Sequence, residues 1–128
     1  MRLNFNRITI FYFVLFSVSI FAQDICIQLN NAKVVADDGQ YLGKICSEYN
    51  SESIINNYGT YGSEYNSKSI WNKFGQYGNE FSLMSPFNDF TTTPPMIIKN
   101  GVVIGYLTKN KSIKNAVDPY ILLACDFC

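Results

Sequence analysis

The stretch SIINNYGTYGSEYNSK, residues 53–68, is followed without a break by SIWNKFGQYGNEFSLM, residues 69–84. The two segments agree at serine, asparagine, glycine, glutamate and aromatic positions that lie sixteen residues apart. A third copy begins with SPFNDF at Ser85 and breaks off at Thr91, and a degraded copy occupies residues 43–51. Tandem repetition at a fixed period indicates structural units that pack on their neighbours.

Each unit has the signature of a short helical turn that ends at a glycine. The serine of each unit stands where a helix N-cap would stand, and Ser85 is followed by proline, the favoured first helical residue. Gly59 and Gly75, six residues after the serine, suit left-handed C-terminal caps. A second glycine, Gly62 or Gly78, allows a further turn or a close approach of two backbone segments. Such turns are too short to be stable alone, so aromatic packing between units has to stabilise them.

Hairpins are predicted on both sides of the repeat. β-branched residues lead into an Asp-Gly pair in KVVADDGQYLGKI, residues 33–45, and into an Asn-Gly pair in MIIKNGVVIGYLT, residues 96–108. Both pairs favour two-residue type I′ turns. Asp118 followed by Pro119 predicts the cap and first residue of a short C-terminal helix. The predicted fold class is mainly β with short helical turns: two β-hairpins flank the Gly/aromatic turn repeats, and a short C-terminal helix follows.

The segment from Gly43 to Leu107 resembles small bacterial proteins of unassigned function that carry tandem N-P-Y-G-x-Y-G-S-x-Y-S type repeats. The matching pieces are NNYGTYGSEYNSKSI, NKFGQYGNEF, TTPPMIIKNGVVIGYLT and DDGQYLGKI. The chain departs from the pattern at Asn57 and Lys73, where the pattern has proline, and in its truncated third unit. The resemblance implies a shared fold and no particular activity, cofactor or partner.

The N-terminal segment has the pattern of a secretory signal. Two arginines precede a mostly apolar run, residues 8–21, and cleavage is expected after Ala22, with a cut after Ser19 as the alternative. The run is shorter than the roughly 20 residues that span a bilayer, although an uncleaved anchor is the alternative. The sequence therefore predicts a signal peptide over residues 1–22 that is removed, and a single small repeat-containing domain over residues 23–128. The expected location is secreted or periplasmic, through bacterial export, with no stable membrane span after signal removal.

Charge and cysteine content narrow the function classes. Without the signal segment the chain carries 8 basic and 10 acidic side chains and has no basic stripe, which argues against nucleic acid as a partner. Four cysteines in a small exported domain predict one or two disulfides, and the sequence leaves three full connectivities open. A staple between the two ends would close a loop of roughly 80–100 residues and contribute about 4 kcal/mol. The disulfide candidates are Cys26, Cys46, Cys125 and Cys128.

Few side chains in this sequence are suited to catalysis. Histidine, the commonest general base and metal ligand, is absent from the sequence, so we expect no enzyme activity, no cofactor and no metal site. A four-cysteine zinc site and a thiol–disulfide oxidoreductase that uses Cys125 and Cys128 are the alternatives. Against the oxidoreductase, these cysteines follow the predicted helix and enclose Asp126, neither of which favours a thiolate. Glu64 and Glu80 could form a glycosidase pair, but their shared repeat position favours a structural role.

The aromatic side chains of the repeat are the remaining candidates for function. Repeated Tyr and Trp between glycines could present stacking platforms for sugars or anchors for a protein partner, although most are expected to form the core. The candidate binding residues are Tyr58, Tyr61, Tyr65, Trp71 and Tyr77. We predict an exported, non-enzymatic structural or interaction module whose partner is open between a cell-wall glycan and another exported protein. A dedicated cell-wall or glycan-binding module and the oxidoreductase are the alternative functions.

Overall fold

A five-stranded mixed sheet is the framework of the protein. The computed structural model describes residues 24–128, so the predicted signal segment lies outside the described residues. The strands are β1 (Lys33–Val35), β2 (Tyr41–Lys44), β3 (Met96–Lys99), β4 (Val102–Leu107) and β5 (Ala116–Val117). The strand order is β2-β1-β3-β4-β5, and neighbours are antiparallel except β4 and β5, which are parallel. The prediction of a mainly β fold with two hairpins is confirmed, and the short strand β5 is an addition to it.

The two hairpins use different turns. Asn100 and Gly101 have φ of 53° and 77° and connect β3 to β4 as the expected two-residue type I′ turn. In the other hairpin only Gly39 is left-handed, with φ of 89°. The N–H of Ala36 donates to the carbonyl of Gln40 at 2.9 Å, so this loop has three residues. A type I turn followed by a left-handed glycine is the usual form of such a loop, and the two-residue turn predicted here is wrong.

The repeat is a chain of hydrogen-bonded β-turns, and no helical run occurs between residues 47 and 93. In most of these turns the residue at position i is Asn or Ser, and its side chain accepts the N–H of residue i+2. Ser69, for example, accepts the N–H of Trp71 through Oγ at 3.1 Å, and its carbonyl accepts the N–H of Asn72 at 3.3 Å. Each turn begins three residues after the turn before it, and we call this spacing a three-residue step. The exceptions are Gly59 and Gly75, whose carbonyls accept the N–H four residues later, so that a four-residue step begins at each of them. One long step among the short ones produces the sixteen-residue period.

The second glycine of each unit, Gly62 or Gly78, is required for space. Gly59 and Gly75 do not have the positive φ of left-handed caps, so that part of the prediction is wrong. A Cβ at Gly78 would overlap the backbone oxygen of Asn72 and lie 2.6 Å from that of Ile70. The close backbone approach predicted for this second glycine is therefore confirmed.

The repeat starts at one edge of the sheet and ends near the other. The N–H of Lys44 in β2 donates to the carbonyl of Glu52, and the carbonyl of Lys44 accepts the N–H of Ile54, both at 2.9 Å. At the far end the N–H of Lys109, just beyond β4, donates to the carbonyl of Pro86 at 2.8 Å. The sheet and the repeat both contribute fully buried apolar side chains to one core. They include Val34, Leu42, Ile97 and Leu107 from the sheet, and Ile54 and Ile70 from the repeat.

Two disulfides join the N-terminal part of the domain to its last residues. Cys26 is bonded to Cys125 with a Cα–Cα distance of 5.7 Å, and Cys46 is bonded to Cys128 with a Cα–Cα distance of 4.9 Å. The bridges span 99 and 82 residues, so the end-to-end staple is confirmed. Because residues 24–128 contain no free cysteine, no thiol is left for the four-cysteine zinc alternative.

A short helix, α1 (residues 24–29), carries the first bridged cysteine and had no clear signal in the sequence. The ammonium group of Lys99, at the end of β3, donates to the carbonyls of Ile27 and Gln28, both at 3.1 Å. A cation at this position satisfies carbonyls that have no partner within the helix and interacts favourably with the helix dipole. The side chain of Lys99 therefore ties α1 to the sheet.

The predicted C-terminal helix is a 3-10 helix over Pro119–Leu123. Asp118 is its N-cap, as predicted, and its carboxylate accepts the N–H of Tyr120 at 2.9 Å. Leu122 is fully buried in the core, which fixes the helix to the domain immediately before Cys125. The 3-10 helix thereby brings the end of the chain to α1.

Candidate binding groove

Six aromatic side chains of the repeat are almost completely exposed, with exposed fractions between 83% and 101%. They form two series in which equivalent rings are sixteen residues apart. The series are Tyr49, Tyr65 and Phe81, and Tyr58, Phe74 and Phe90. The expectation that most repeat aromatics form the core is therefore wrong. Single exposed apolar residues are ordinary on protein surfaces, but one exposed ring at the same place in every unit calls for a cause.

The exposed rings share one position in their turns. Each exposed ring occupies position i+2 of a turn, as Phe74 illustrates. Its N–H donates to the side-chain oxygen of Asn72 at 3.0 Å, and the N–H of Gly75 closes the turn on the Asn72 carbonyl at 3.1 Å. These two bonds fix the backbone on both sides of Phe74 and leave the ring 97% exposed. Trp71 and Phe87 occupy the same turn position and are partly buried, so position i+2 fixes the backbone beside a ring but does not by itself decide its exposure.

Four of the exposed rings line an open groove with a volume of about 1110 Å³. We call it the aromatic groove. Its aromatic lining residues are Tyr58, Tyr65, Trp71, Phe74, Phe81, Phe87 and Tyr120. Trp71 and Phe87 are only partly exposed, so the groove combines projecting rings with rings that are anchored in the fold.

The anchored rings connect the groove to the rest of the domain. The indole N–H of Trp71 donates to the carbonyl of Ile54 at 2.7 Å, which orients the ring. The ring centroids of Trp71 and Phe87 are 5.5 Å apart, and those of Phe87 and Tyr120 are also 5.5 Å apart. Tilted pairs at this distance are favourable beyond the area they bury. The 3-10 helix that carries Tyr120 thus contributes to the same surface as the repeat.

Polar side chains alternate with the rings in the groove. Glu64, Lys73 and Glu80 occupy position i+1 of their turns, one residue before an exposed ring, and all three line the groove. Lys109 is a second lining base, so the charged lining residues are two acids and two bases. Glu64, as a hydrogen-bond acceptor and a nearby negative charge, raises the pKa of Tyr65 and keeps its phenol protonated. The groove therefore combines an apolar lining with charged groups of both signs, in equal number.

The sequence-predicted binding residues divide into two groups. Tyr58, Tyr65 and Trp71 line the aromatic groove, whereas Tyr61 and Tyr77 do not. The ring of Tyr61 packs edge-on against Tyr41 at 4.9 Å, and Tyr77 is only 9% exposed and belongs to the core. Both tyrosines lie in the four-residue steps of the repeat, where the chain turns the side chain inward.

Several lining residues were absent from the predicted candidates. Phe74 and Phe81 could have been found by register, because they lie sixteen residues after Tyr58 and Tyr65. Tyr120 lies outside the repeat, and no sequence pattern connects it with the groove. Its position depends on the tertiary contact of the 3-10 helix with Phe87.

The chemistry available in the groove is stacking on ring faces and hydrogen bonding to the neighbouring polar groups. Among residues 24–128, no group of three or more Cys, Asp or Glu side chains is arranged to hold a metal ion, and no helix is long and apolar enough to cross a membrane. No protein-family model, curated protein or solved structure matches the chain. The function therefore has to be inferred from the geometry of the groove.

Proposed function

We propose that the protein is an exported, non-enzymatic interaction module that presents the aromatic groove to a partner. The observation that carries the proposal is the repeated placement of exposed rings at turn position i+2 of successive units. Solvent-exposed aromatic rings contribute little to folding, whereas aromatic rings are prominent among the residues that dominate binding energy. A repeat that retains them in successive units is suited to contact with something outside the chain.

The scaffold is consistent with export. Two disulfides are typical of proteins that reside in an oxidising, extracytoplasmic compartment. We propose further that residues 1–22 direct the chain there and are then removed. After removal the protein would keep its own core, with two disulfides that join the N-terminal part of the domain to its last residues.

The thiol–disulfide alternative receives less support from the same geometry. Cys125 and Cys128 are each bonded to a different cysteine near the N-terminus and not to each other. Cys125 also follows the 3-10 helix, whereas a reactive thiol is usually activated at a helix N-terminus. This arrangement fits a structural role for both cysteines.

The proposal is tested by co-sedimentation of the purified protein with insoluble envelope material of the producing organism. The variant Tyr58→Ala/Phe74→Ala removes two lining rings, and Tyr49→Ala is the matched control. Tyr49 is 88% exposed at the same turn position, but it does not line the groove. We expect wild type and the control to sediment and the double variant to stay in solution. Equal behaviour of all three proteins would show that the groove is not the interaction surface.

A further inference from the structure

We propose that the aromatic groove binds a neutral polysaccharide chain. This inference rests on the proposed function and specifies its partner. A sugar ring has an apolar C–H face and a rim of hydroxyl groups. Such a ligand needs aromatic faces for stacking with hydrogen-bonding groups immediately beside them.

The side chains of successive turns provide this combination. Lys73 and Phe74 are adjacent at positions i+1 and i+2 of one turn, and Glu80 and Phe81 are adjacent at the same positions of another. Each pair offers one ring face and one charged group that can bond to a hydroxyl. The rings are 97% and 83% exposed, so both faces are accessible to a ligand. Among the described residues, neither ring stacks on another aromatic side chain.

The balance of charge selects a neutral ligand. Glu64 and Glu80 face the same groove as Lys73 and Lys109, so a strongly anionic or cationic polymer would meet repulsion along its length. Residues 24–128 also contain no arginine, the side chain best suited to bind phosphate and carboxylate groups in two-point contacts. Nucleic acids and anionic lipid surfaces are therefore poorly matched. An uncharged hydroxyl group, in contrast, accepts a hydrogen bond from a lysine ammonium and donates one to a glutamate carboxylate.

The repetition selects a polymer. Equivalent exposed rings of consecutive units, Tyr58 with Phe74 and Tyr65 with Phe81, follow one another along the repeat and line the same groove. A ligand built from identical units can make the same contact with each of them, which a folded protein surface seldom does. The site is also an open groove and not a flat face, so it accommodates an extended chain better than a bilayer.

The test is affinity electrophoresis in native gels that contain one of four neutral polysaccharides: hydroxyethylcellulose, laminarin, mannan or dextran. We expect at least one of them to retard the wild type and the Tyr49→Ala control. The Tyr58→Ala/Phe74→Ala variant should bind about tenfold more weakly or worse, since loss of stacked rings at the centre of a binding surface has effects of this size. Thermal melting of each variant shows that the loss is not caused by unfolding.

Three results would overturn the proposal. The first is that none of the four polysaccharides retards the wild type. The second is retention by polygalacturonate or by vesicles of phosphatidylcholine and phosphatidylglycerol that exceeds retention by every neutral polymer. The third is concentration-dependent dimerisation in light scattering that the double variant abolishes, which would make the groove an interface between two copies. In the second and third cases, loss of that binding in the double variant would still identify the groove as an interaction surface. The polysaccharide proposal would then fail while the proposed function stands.

Discussion

The phenol of Tyr77 donates a hydrogen bond of 2.7 Å to the carboxylate of Asp38, which lies 39 residues earlier in the chain. The bond joins the second unit of the repeat to the loop of the first hairpin. It acts on both groups, since the hydrogen bond from Tyr77 lowers the pKa of Asp38. Burial, followed by the hydrogen bond to Asp38, raises the pKa of Tyr77 to about 12.

The first prediction concerns alkaline pH. An unfolded tyrosine titrates near pH 10, so the native state favours the protonated form of Tyr77. Its contribution to stability is complete below pH 10 and is lost as the pH rises from about 10 to about 12. We expect tyrosinate absorbance to show a late phase near pH 12 that is smaller in Tyr77→Phe. The pKa of Tyr41 is also raised to about 12, first by burial and then by Glu52, so Tyr41 accounts for the part of the late phase that remains in the variant. An unchanged late phase in the variant would contradict the assignment.

The second prediction concerns the crowded glycine. Gly78→Ala forces a Cβ onto backbone atoms of Asn72 and Ile70, which cannot move without disrupting two turns. We expect a loss of about 3 kcal/mol in the free energy of unfolding, measured by urea denaturation. Gly101→Ala is the control, because its Cβ meets open space and only the φ of 77° is unfavourable, at a cost of about 1 kcal/mol. Equal losses in the two variants would mean that the backbone contact is not what requires glycine.

The third prediction concerns the asparagine that links successive turns. The side-chain amide of Asn72 donates to the carbonyl of Asn66 at 3.1 Å, while its oxygen accepts the N–H of Phe74. Asn72→Asp keeps the acceptor and removes the donor, so we expect a loss of roughly 1–3 kcal/mol. Asn57→Asp introduces the same charge at an exposed position and should change stability by less than about 0.5 kcal/mol. A similar loss in the control would assign the effect to charge.

The fourth prediction concerns the bridges. Replacing Cys26 and Cys125 together by alanine leaves Cys46 bonded to Cys128, so the loop that opens consists only of the segments 26–46 and 125–128. The chain-entropy model assigns a loop of this size about 3 kcal/mol. The same two segments form the loop that opens in the Cys46→Ala/Cys128→Ala variant, so we expect a nearly equal loss there. Chemical denaturation of both variants measures the two losses. A neutral effect of either replacement would show that this bridge does not constrain the unfolded chain.

The fifth prediction separates the groove from the fold. Phe74→Ala removes a ring that is 97% exposed, and we expect a change in the free energy of unfolding within about 0.5 kcal/mol. Ile70→Ala, four residues earlier in the same unit, removes a fully buried side chain and should cost about 2–5 kcal/mol. Thermal melting distinguishes the two. A large loss in Phe74→Ala would mean that the exposed ring supports the scaffold.

The sequence specified those parts of the fold that depend on local chemistry. The Asn-Gly pair identified the turn at Asn100, and Asp118 with Pro119 identified the start of the 3-10 helix. Cysteines near both ends indicated the staple without deciding which partners are bonded. In each case two to four neighbouring residues, or a simple count, carry the necessary information.

The inward and outward tyrosines could not be separated in the same way. Tyr58 and Tyr61 both stand next to a glycine, yet one is 101% exposed and the other packs on Tyr41. The difference depends on step length, because Tyr58 lies in a three-residue step and Tyr61 in a four-residue step. Which N–H bonds to the first carbonyl of each turn depends on the folded arrangement of the whole repeat and not on the neighbouring residues alone. The same reason explains why Tyr120 was absent from the predicted site.

The sixteen-residue period also relates the length of the repeat to the width of the sheet. The repeat is bonded to β2 through Glu52 and Ile54, and to Lys109 just beyond β4 through Pro86. Between these anchors the indole of Trp71 bonds back to Ile54, and the phenol of Tyr77 bonds to the loop of the first hairpin. A unit inserted between residues 68 and 69 would separate contacts that the sheet holds at a fixed distance, so the sheet acts as a template that sets the number of turns.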